Sequence, residues 1–450
     1  MSNIKEEEEN NNNIINIERD ENKEEVNNNI NIDYDKPFYK DESKTVYKIN
    51  QNPIIKEISI IKTKNIPPKR AYLTVDYSKN NNSIICVGGT NIFCEQCNKI
   101  TEYNNKENIW NYWNNNDQIE FDLELSGHSS NLIRINNNEQ IFIFGGYDNW
   151  KKEFTAQSYM INITNKTFEK INYNINNNEK NREFPLPRTY HTSNYDEDEQ
   201  IIYIYGGTDM NINHIKNNNF QSVWAFYVTK RYWKKISISN PSPLGVPRGH
   251  SSVLLDNKLY IFGGVILFKK FLNKLFIIDL NTKKIEHIKE NNKTGIIPKP
   301  IAFHSAVLVD NEKMLIHGGL DKNYKAVNDC YIFYFKDFKF DKINIPLIPK
   351  LFGHKIVTKD KNQLYIVGGM ESFKYVGDES LISKNEEKEK DNNLSNKYKE
   401  QFEFIPMANI LEIVLNNEEE KREDNKIINK RENKDNKYLI KKRRWKKLFY

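Results

Sequence analysis

The chain has 450 residues, 38% hydrophobic and 28% charged, with a net charge of +6, which suits one large domain or a few smaller ones. Four cysteines exclude a disulfide-built scaffold and suit a reducing compartment. No apolar run approaches the ~18 residues that span a bilayer, and the acidic N-terminus lacks a secretory leader, so a cytosolic or nuclear protein is expected.

Residues 1–44 carry 13 acidic and 6 basic side chains, a balance of −7, without helix or strand periodicity. Such a segment is expected to be a disordered acidic Asn/Glu-rich tail. PIIKEISII at 53–61 reads as a strand. Beyond it, one pattern recurs six times. A short apolar run closes on Gly-Gly at Gly88-Gly89, Gly145-Gly146, Gly206-Gly207, Gly263-Gly264, Gly318-Gly319 and Gly368-Gly369, at intervals of 57, 61, 57, 55 and 50 residues. A period in this range marks an array of one supersecondary unit, because a single unit cannot bury its own apolar face.

The unit reads as four strands. The fourth copy is clearest: SSVLL at 251–255, a turn at Asp256-Asn257, KLYIF ending at Gly263-Gly264, then LFIIDL at 275–280 and KIEHI at 284–288. First strands follow His128, His191, His250, His304 and His354, which lie 17, 15, 13, 14 and 14 residues before their Gly pairs. The first unit has Pro68-Lys69-Arg70-Ala71-Tyr72 at that place and no histidine. One histidine per repeat reads as a structural hydrogen-bonding group near a turn rather than a metal ring. Arg70, Arg188 and Arg248 also share a repeat position. They read as structural, with a basic lining for carboxylate or phosphate as the alternative.

These residues resemble the Kelch-repeat family, whose motif runs Pro-Arg-x-x-His, an apolar strand, Gly-Gly, a Tyr-rich strand and a closing Trp. Pro187-Arg188-Thr189-Tyr190-His191 carries the opening, and Pro247-Arg248-Gly249-His250 carries it with one residue fewer. Trp233 and Trp445 carry the closing tryptophan, and Phe168, Ile285 and Phe340 replace it elsewhere. The resemblance implies an all-β fold, a six-bladed Kelch-type β-propeller over residues 45–450, with charged insertions at about 374–408 and 416–440. Two segments compete to complete the sixth blade. RRWKKL at 443–448 is favoured for its Trp445, with 53–61 packing beside it.

No nucleophile elbow, phosphate loop or zinc-binding helix motif is present. Cys94-Glu95-Gln96-Cys97 is a single CxxC without a second pair, so a plain loop is expected and no cofactor or metal is assigned. The basic cluster at 441–447 reads as a charged outer strand, with an anion-binding or localisation signal as the alternative. Long connections at 90–108, 147–156, 208–220 and 371–408 follow the Gly pairs and, by the resemblance, gather on one end of the ring.

The resemblance thus implies a non-catalytic scaffold or adaptor that binds a protein or peptide on this loop face or at the channel mouth. Tyr147, Trp150, Arg188 and Arg248 are the candidate contacts. A substrate-recognition subunit of a ubiquitin ligase is the second reading, and an enzyme acting on a small molecule in the channel is the third. Nucleic acid is not expected as a partner.

Overall fold

The computed structural model describes residues 39–40, 44–48, 54–68, 70–90, 100–113, 124–173, 183–211, 213–214, 220–239, 245–266, 269–288, 295–345, 348–375, 402–406 and 410–415. Antiparallel strands dominate, in six sheets of four or more strands with three small two- or three-stranded sheets beside them. The architecture is a β-propeller. Among the described residues no helix is long and apolar enough to cross a membrane.

Each blade runs outward from an inner strand. The inner strands are Thr74–Ser78, Ser129–Ile135, Thr192–Asp196, Ser251–Leu255, Ser305–Asp310 and Lys355–Thr358. Each of these touches the next, and the last touches the first, so they close a ring. The second strands Ser83–Val87 and Ile201–Tyr205 are buried at every position, and Lys258–Phe262, Lys313–His317 and Gln363–Val367 at every position after the first. A strand covered on both faces needs a continuous apolar run, which is the pattern that precedes each Gly pair.

The cores lie between blades. Phe142, Phe144 and Met160 of the second blade pack against Ile202, Phe226 and Trp233 of the third. Trp233 lies 5.0 Å from Phe144 and 5.0 Å from Phe226, ring centre to ring centre. Equivalent clusters join the other five pairs of neighbours. A four-stranded sheet has two apolar faces, and only a neighbour on each side keeps both from water.

The closing position of each blade is set by pairing. Phe226 faces Trp233, Ile161 faces Phe168, Ile278 faces Ile285 and Phe333 faces Phe340 across the third and fourth strands. In the first blade Tyr103 faces Trp110, a closing tryptophan that the motif reading did not assign. Trp110 Nε1 donates to Thr63 Oγ1 at 3.1 Å. The third strand here, Thr101–Asn104, also falls within the stretch expected to be a long loop, 90–108.

In the sixth blade the N-terminal candidate takes the fourth place. Ile55–Ile61 pairs directly with Ile410–Leu415, and Ile58 faces Ile413. The N-terminal strand therefore fills the fourth place, and fully buried Ile58 stands where other blades carry the closing aromatic or isoleucine. Lys44–Lys48 and Tyr39–Lys40 extend the same sheet, so the expected boundary at residue 44 coincides with the start of a strand. The segment 443–448 with Trp445 lies outside the described residues, as does most of the tail. At the insertion expected over 374–408, Met370–Tyr375 pairs with Phe402–Pro406, and the residues between these strands lie outside the described residues.

Candidate functional site: the axial plug, the lumen and the loop face

The residue two places before each inner strand lies on the axis. Going round the ring these residues are Tyr72, Gly127, Tyr190, Gly249, Phe303 and Gly353, an alternation of aromatic and glycine. All six have positive φ, between 56° and 64°. Their backbones form a closed circle of hydrogen bonds. Gly127 N donates to Tyr72 O (2.9 Å), Tyr190 N to Gly127 O (2.8 Å) and Gly249 N to Tyr190 O (2.9 Å). Phe303 N donates to Gly249 O (2.6 Å), Gly353 N to Phe303 O (2.9 Å) and Tyr72 N to Gly353 O (2.8 Å).

The three aromatic rings meet edge to face at the centre. Tyr72 to Tyr190 is 5.1 Å, Tyr190 to Phe303 is 5.1 Å and Tyr72 to Phe303 is 5.6 Å. Glycine at the alternate positions is required by this packing. A Cβ on Gly249 would sit 2.7 Å from the Phe303 ring. The channel is therefore plugged at the end where the Gly pairs and their loops lie. Periodic spacing did not show this plug, although a six-fold alignment of the positions before the histidines would have displayed the alternation.

One level deeper, histidines tie neighbouring blades. His128 Nε2 lies 2.9 Å from Thr74 Oγ1, His191 Nε2 2.8 Å from Ser129 Oγ, His250 Nε2 2.9 Å from Thr192 Oγ1 and His304 Nε2 2.8 Å from Ser251 Oγ. The partner hydroxyl always belongs to the preceding blade. His354 instead meets His317 at 3.0 Å. Burial holds these imidazoles neutral, pushing His128, His250, His304 and His317 down to about 3 and His191 and His354 well below the usual range. The ring also explains the first glycine of five of the six pairs: a Cβ on Gly206 would lie 2.6 Å from His250 Cε1. Among the described residues no group of three or more His, Cys, Asp or Glu could hold a metal ion.

Beyond the histidines the inner strands enclose a lumen of about 450 Å³. Asp76 and Lys355 are the charged residues of its lining. Burial raises the Asp76 carboxyl to about 6, although Ser130 Oγ and Leu132 N donate to its two oxygens at 2.5 and 3.0 Å.

The candidate contacts separate on the loop face. Arg188 is fully buried, with Nη1 donating to Gly206 O at 3.2 Å and its guanidinium 4.9 Å from the Phe220 ring centre. Arg70 does the same work in the first blade, donating to Gly88 O at 3.0 Å and Thr101 Oγ1 at 2.8 Å. Both are three residues before the position occupied by the histidine or Leu73, whereas Arg248 is two before His250. In an extended segment a one-residue shift sends the side chain to the opposite side. Arg248 is accordingly half-buried, within 2.7 Å of Met210 Sδ, and its charge acts on Tyr72, Tyr190 and Tyr324. Tyr324 is 53% exposed and packs edge to face on Phe271 at 5.3 Å.

Trp150 is 74% exposed on the loop of the second blade. The loop is shaped by buried Asp148, whose Oδ1 accepts from Trp150 N and Lys151 N, each at 3.0 Å. Tyr147 is half-buried against Phe154 at 5.1 Å. Met210 and Tyr324 are the loop-face residues that sequence reasoning missed. Cys94 and Cys97 lie outside the described residues, and burial raises the Cys86 and Cys330 thiols to about 12, so neither is a reactive thiolate.

A family model described as the KLHDC2/KLHL20/DRC7 Kelch-repeats domain matches residues 39–243 and 127–369. The chain is 27% identical over 191 residues to host cell factor homolog hcf-1 of Caenorhabditis elegans, covering 40% of this chain and 23% of that protein. It is 26% identical over 215 residues to an F-box/kelch-repeat protein of Arabidopsis thaliana, covering 44% and 42%. To host cell factor 1 of Homo sapiens it is 29% identical over 163 residues, covering 32% and 8%. The chain spans less than half the length of these relatives.

Proposed function

The chain belongs to the Kelch-repeat family, and we propose that it is a non-catalytic adaptor that holds a partner protein or peptide on the loop face of its propeller. The observation that carries this reading is Arg248. Its motif is one residue shorter than that of Arg188, which takes the guanidinium out of the Gly-carbonyl pocket and sets it among Met210, Tyr190 and exposed Tyr324. Arginine and tyrosine on a rigid face are the residue types that dominate interface energies. Trp150 supplies a further exposed anchor on a loop whose turn Asp148 fixes. Because Tyr72, Tyr190 and Phe303 plug the axis at this end, the partner rests across the face and does not thread the channel from this side.

The test is affinity purification of the tagged protein from its native cells beside Arg248→Ser and the double variant Trp150→Ala/Tyr324→Ala. Partners retained by wild type and lost from both variants support the reading, and partners retained by all three sink it. The likeness to an F-box/kelch-repeat protein favours a second reading, in which the propeller chooses substrates for a ubiquitin ligase. Co-purification of cullin-type ligase components would bring that reading forward.

A further inference from the structure

The ring of histidine–hydroxyl contacts has one seam. At the position after the histidine the blades carry Thr74, Ser129, Thr192, Ser251, Ser305 and, in the sixth, Lys355. Four of the five hydroxyls bond the histidine of the next blade, and Ser305 Oγ accepts from Ile356 N at 2.9 Å. Lys355 has no such duty, because the residue that would receive it in the first blade is Leu73. A Cβ on Gly368 would meet Leu73 Cδ2 at 2.6 Å, where its counterparts meet a histidine ring. Leucine thus fills the histidine's space without asking for a hydrogen bond, and the lysine at the seam is left to the lumen.

Lys355 is exposed, yet its surroundings are the inner strands of all six blades. Its charge acts on His128, His191, His250, His304 and His354 at once, which places the ammonium near the axis. Among the described residues Lys355 makes no side-chain hydrogen bond or ion pair. Asp76, the other charge of the lining, accepts from Ser130 and Leu132 and acts on Lys355 across the lumen without reaching it as an ion pair. The remaining lining is neutral and rich in small polar groups, including Ser193, Asn194, Ser252 and Thr358. A cation enclosed by protein is costly unless an opposite charge or water compensates it. A lumen of about 450 Å³ is within the range that holds small ligands.

We propose that the lumen is a binding site for a small oxyanion, a carboxylate or phosphate group, held by the Lys355 ammonium with hydroxyl and amide groups of the inner strands around it. The site lies beyond the aromatic plug from the loop face, so it is independent of the adaptor reading.

The experiment is calorimetric titration of the full-length protein at constant ionic strength with inorganic phosphate and, separately, acetate, at concentrations up to about 10 mM. Saturable binding of either probe to wild type, weakened at least about tenfold in Lys355→Ser, is the expected result. Phosphate alone or acetate alone identifies the group that the site takes. Lys355→Ser supplies the hydroxyl that the other blades carry, and Lys355→Gln repeats the test with the stem length kept. Absence of saturable binding with both probes, or equal binding by wild type and both variants, overturns the proposal.

Discussion

Leu73 and Lys355 line the same small cavity on the axis beneath the aromatic plug, and at the junction of the sixth and first blades each replaces a member of the histidine–hydroxyl pair that spans four of the other junctions. Two departures at one seam leave no unmatched imidazole. Restoring both members is expected to rebuild the contact. In a double-mutant cycle, Leu73→His with Lys355→Ser should be more stable than the sum of the single changes by about 1 kcal/mol, the net worth of one hydrogen bond. Urea unfolding of the four proteins measures this, and additive effects would show that the seam cannot form the pair.

Gly249→Ala is expected to destabilise the propeller by about 1–3 kcal/mol. The residue has φ +60° and lies under the Phe303 ring, so both backbone strain and a clash with the axial plug oppose a Cβ. A denaturation midpoint equal to wild type would remove the plug from the account of stability.

Ile58→Ala is expected to cost about 2–5 kcal/mol, as for a large residue lost from a core. Ile58 is fully buried and faces Ile413 at the place where Trp233 and Trp110 close other blades. Trp445→Ala is the comparison. A greater loss of stability from that change than from Ile58→Ala would return the closing position to the C-terminal end.

Stability is expected to fall in acid from about pH 6.5 downward. The folded state holds His128, His250, His304 and His317 down at about 3, whereas the unfolded chain protonates histidine near 6.5. Between these values the unfolded state binds more protons, so stability is complete above the unfolded pKa and declines toward the folded one. Each such histidine adds a slope of up to about 1.4 kcal/mol per pH unit. Asp76, raised to about 6, acts in the opposite sense over part of the window. Urea midpoints that stay constant from pH 6.5 to 5 would contradict the buried neutral ring.

Arg188 and Arg248 are expected to separate stability from binding. Arg188→Ala should cost about 2 kcal/mol or more, since it empties a buried site and leaves Gly206 O without its donor. Arg248→Ser should hold the melting temperature within a degree or two, as partly exposed changes do, while weakening partner capture. A matching loss of stability in both would make Arg248 a second structural arginine.

Much of the blade was legible because its causes are local. A β-period, an apolar run buried on both faces and a glycine pair forced by contact with a histidine all leave marks at fixed spacing, as in KLYIF before Gly263-Gly264. The loop-face site was only half legible. Trp150 was visible as an exposed anchor, but the distinction between Arg188 and Arg248 rests on side-chain direction. The missing residue in Pro247-Arg248-Gly249-His250 was visible, yet its consequence needed the strand geometry that turns one arginine inward and the other outward.

By itself the sequence determined a repeated four-stranded unit and hence the propeller, because each unit must bury two apolar faces against copies of itself. Only the tertiary structure decided what the ends and the axis do. Ile55–Ile61 takes the fourth place of the last blade, since strand pairing joins residues about 350 positions apart without leaving a local signal. The plug of Tyr72, Tyr190 and Phe303, and the release of Lys355 into the lumen, arise because the ring brings single residues of separate repeats to one point, and no spacing along the chain records that meeting.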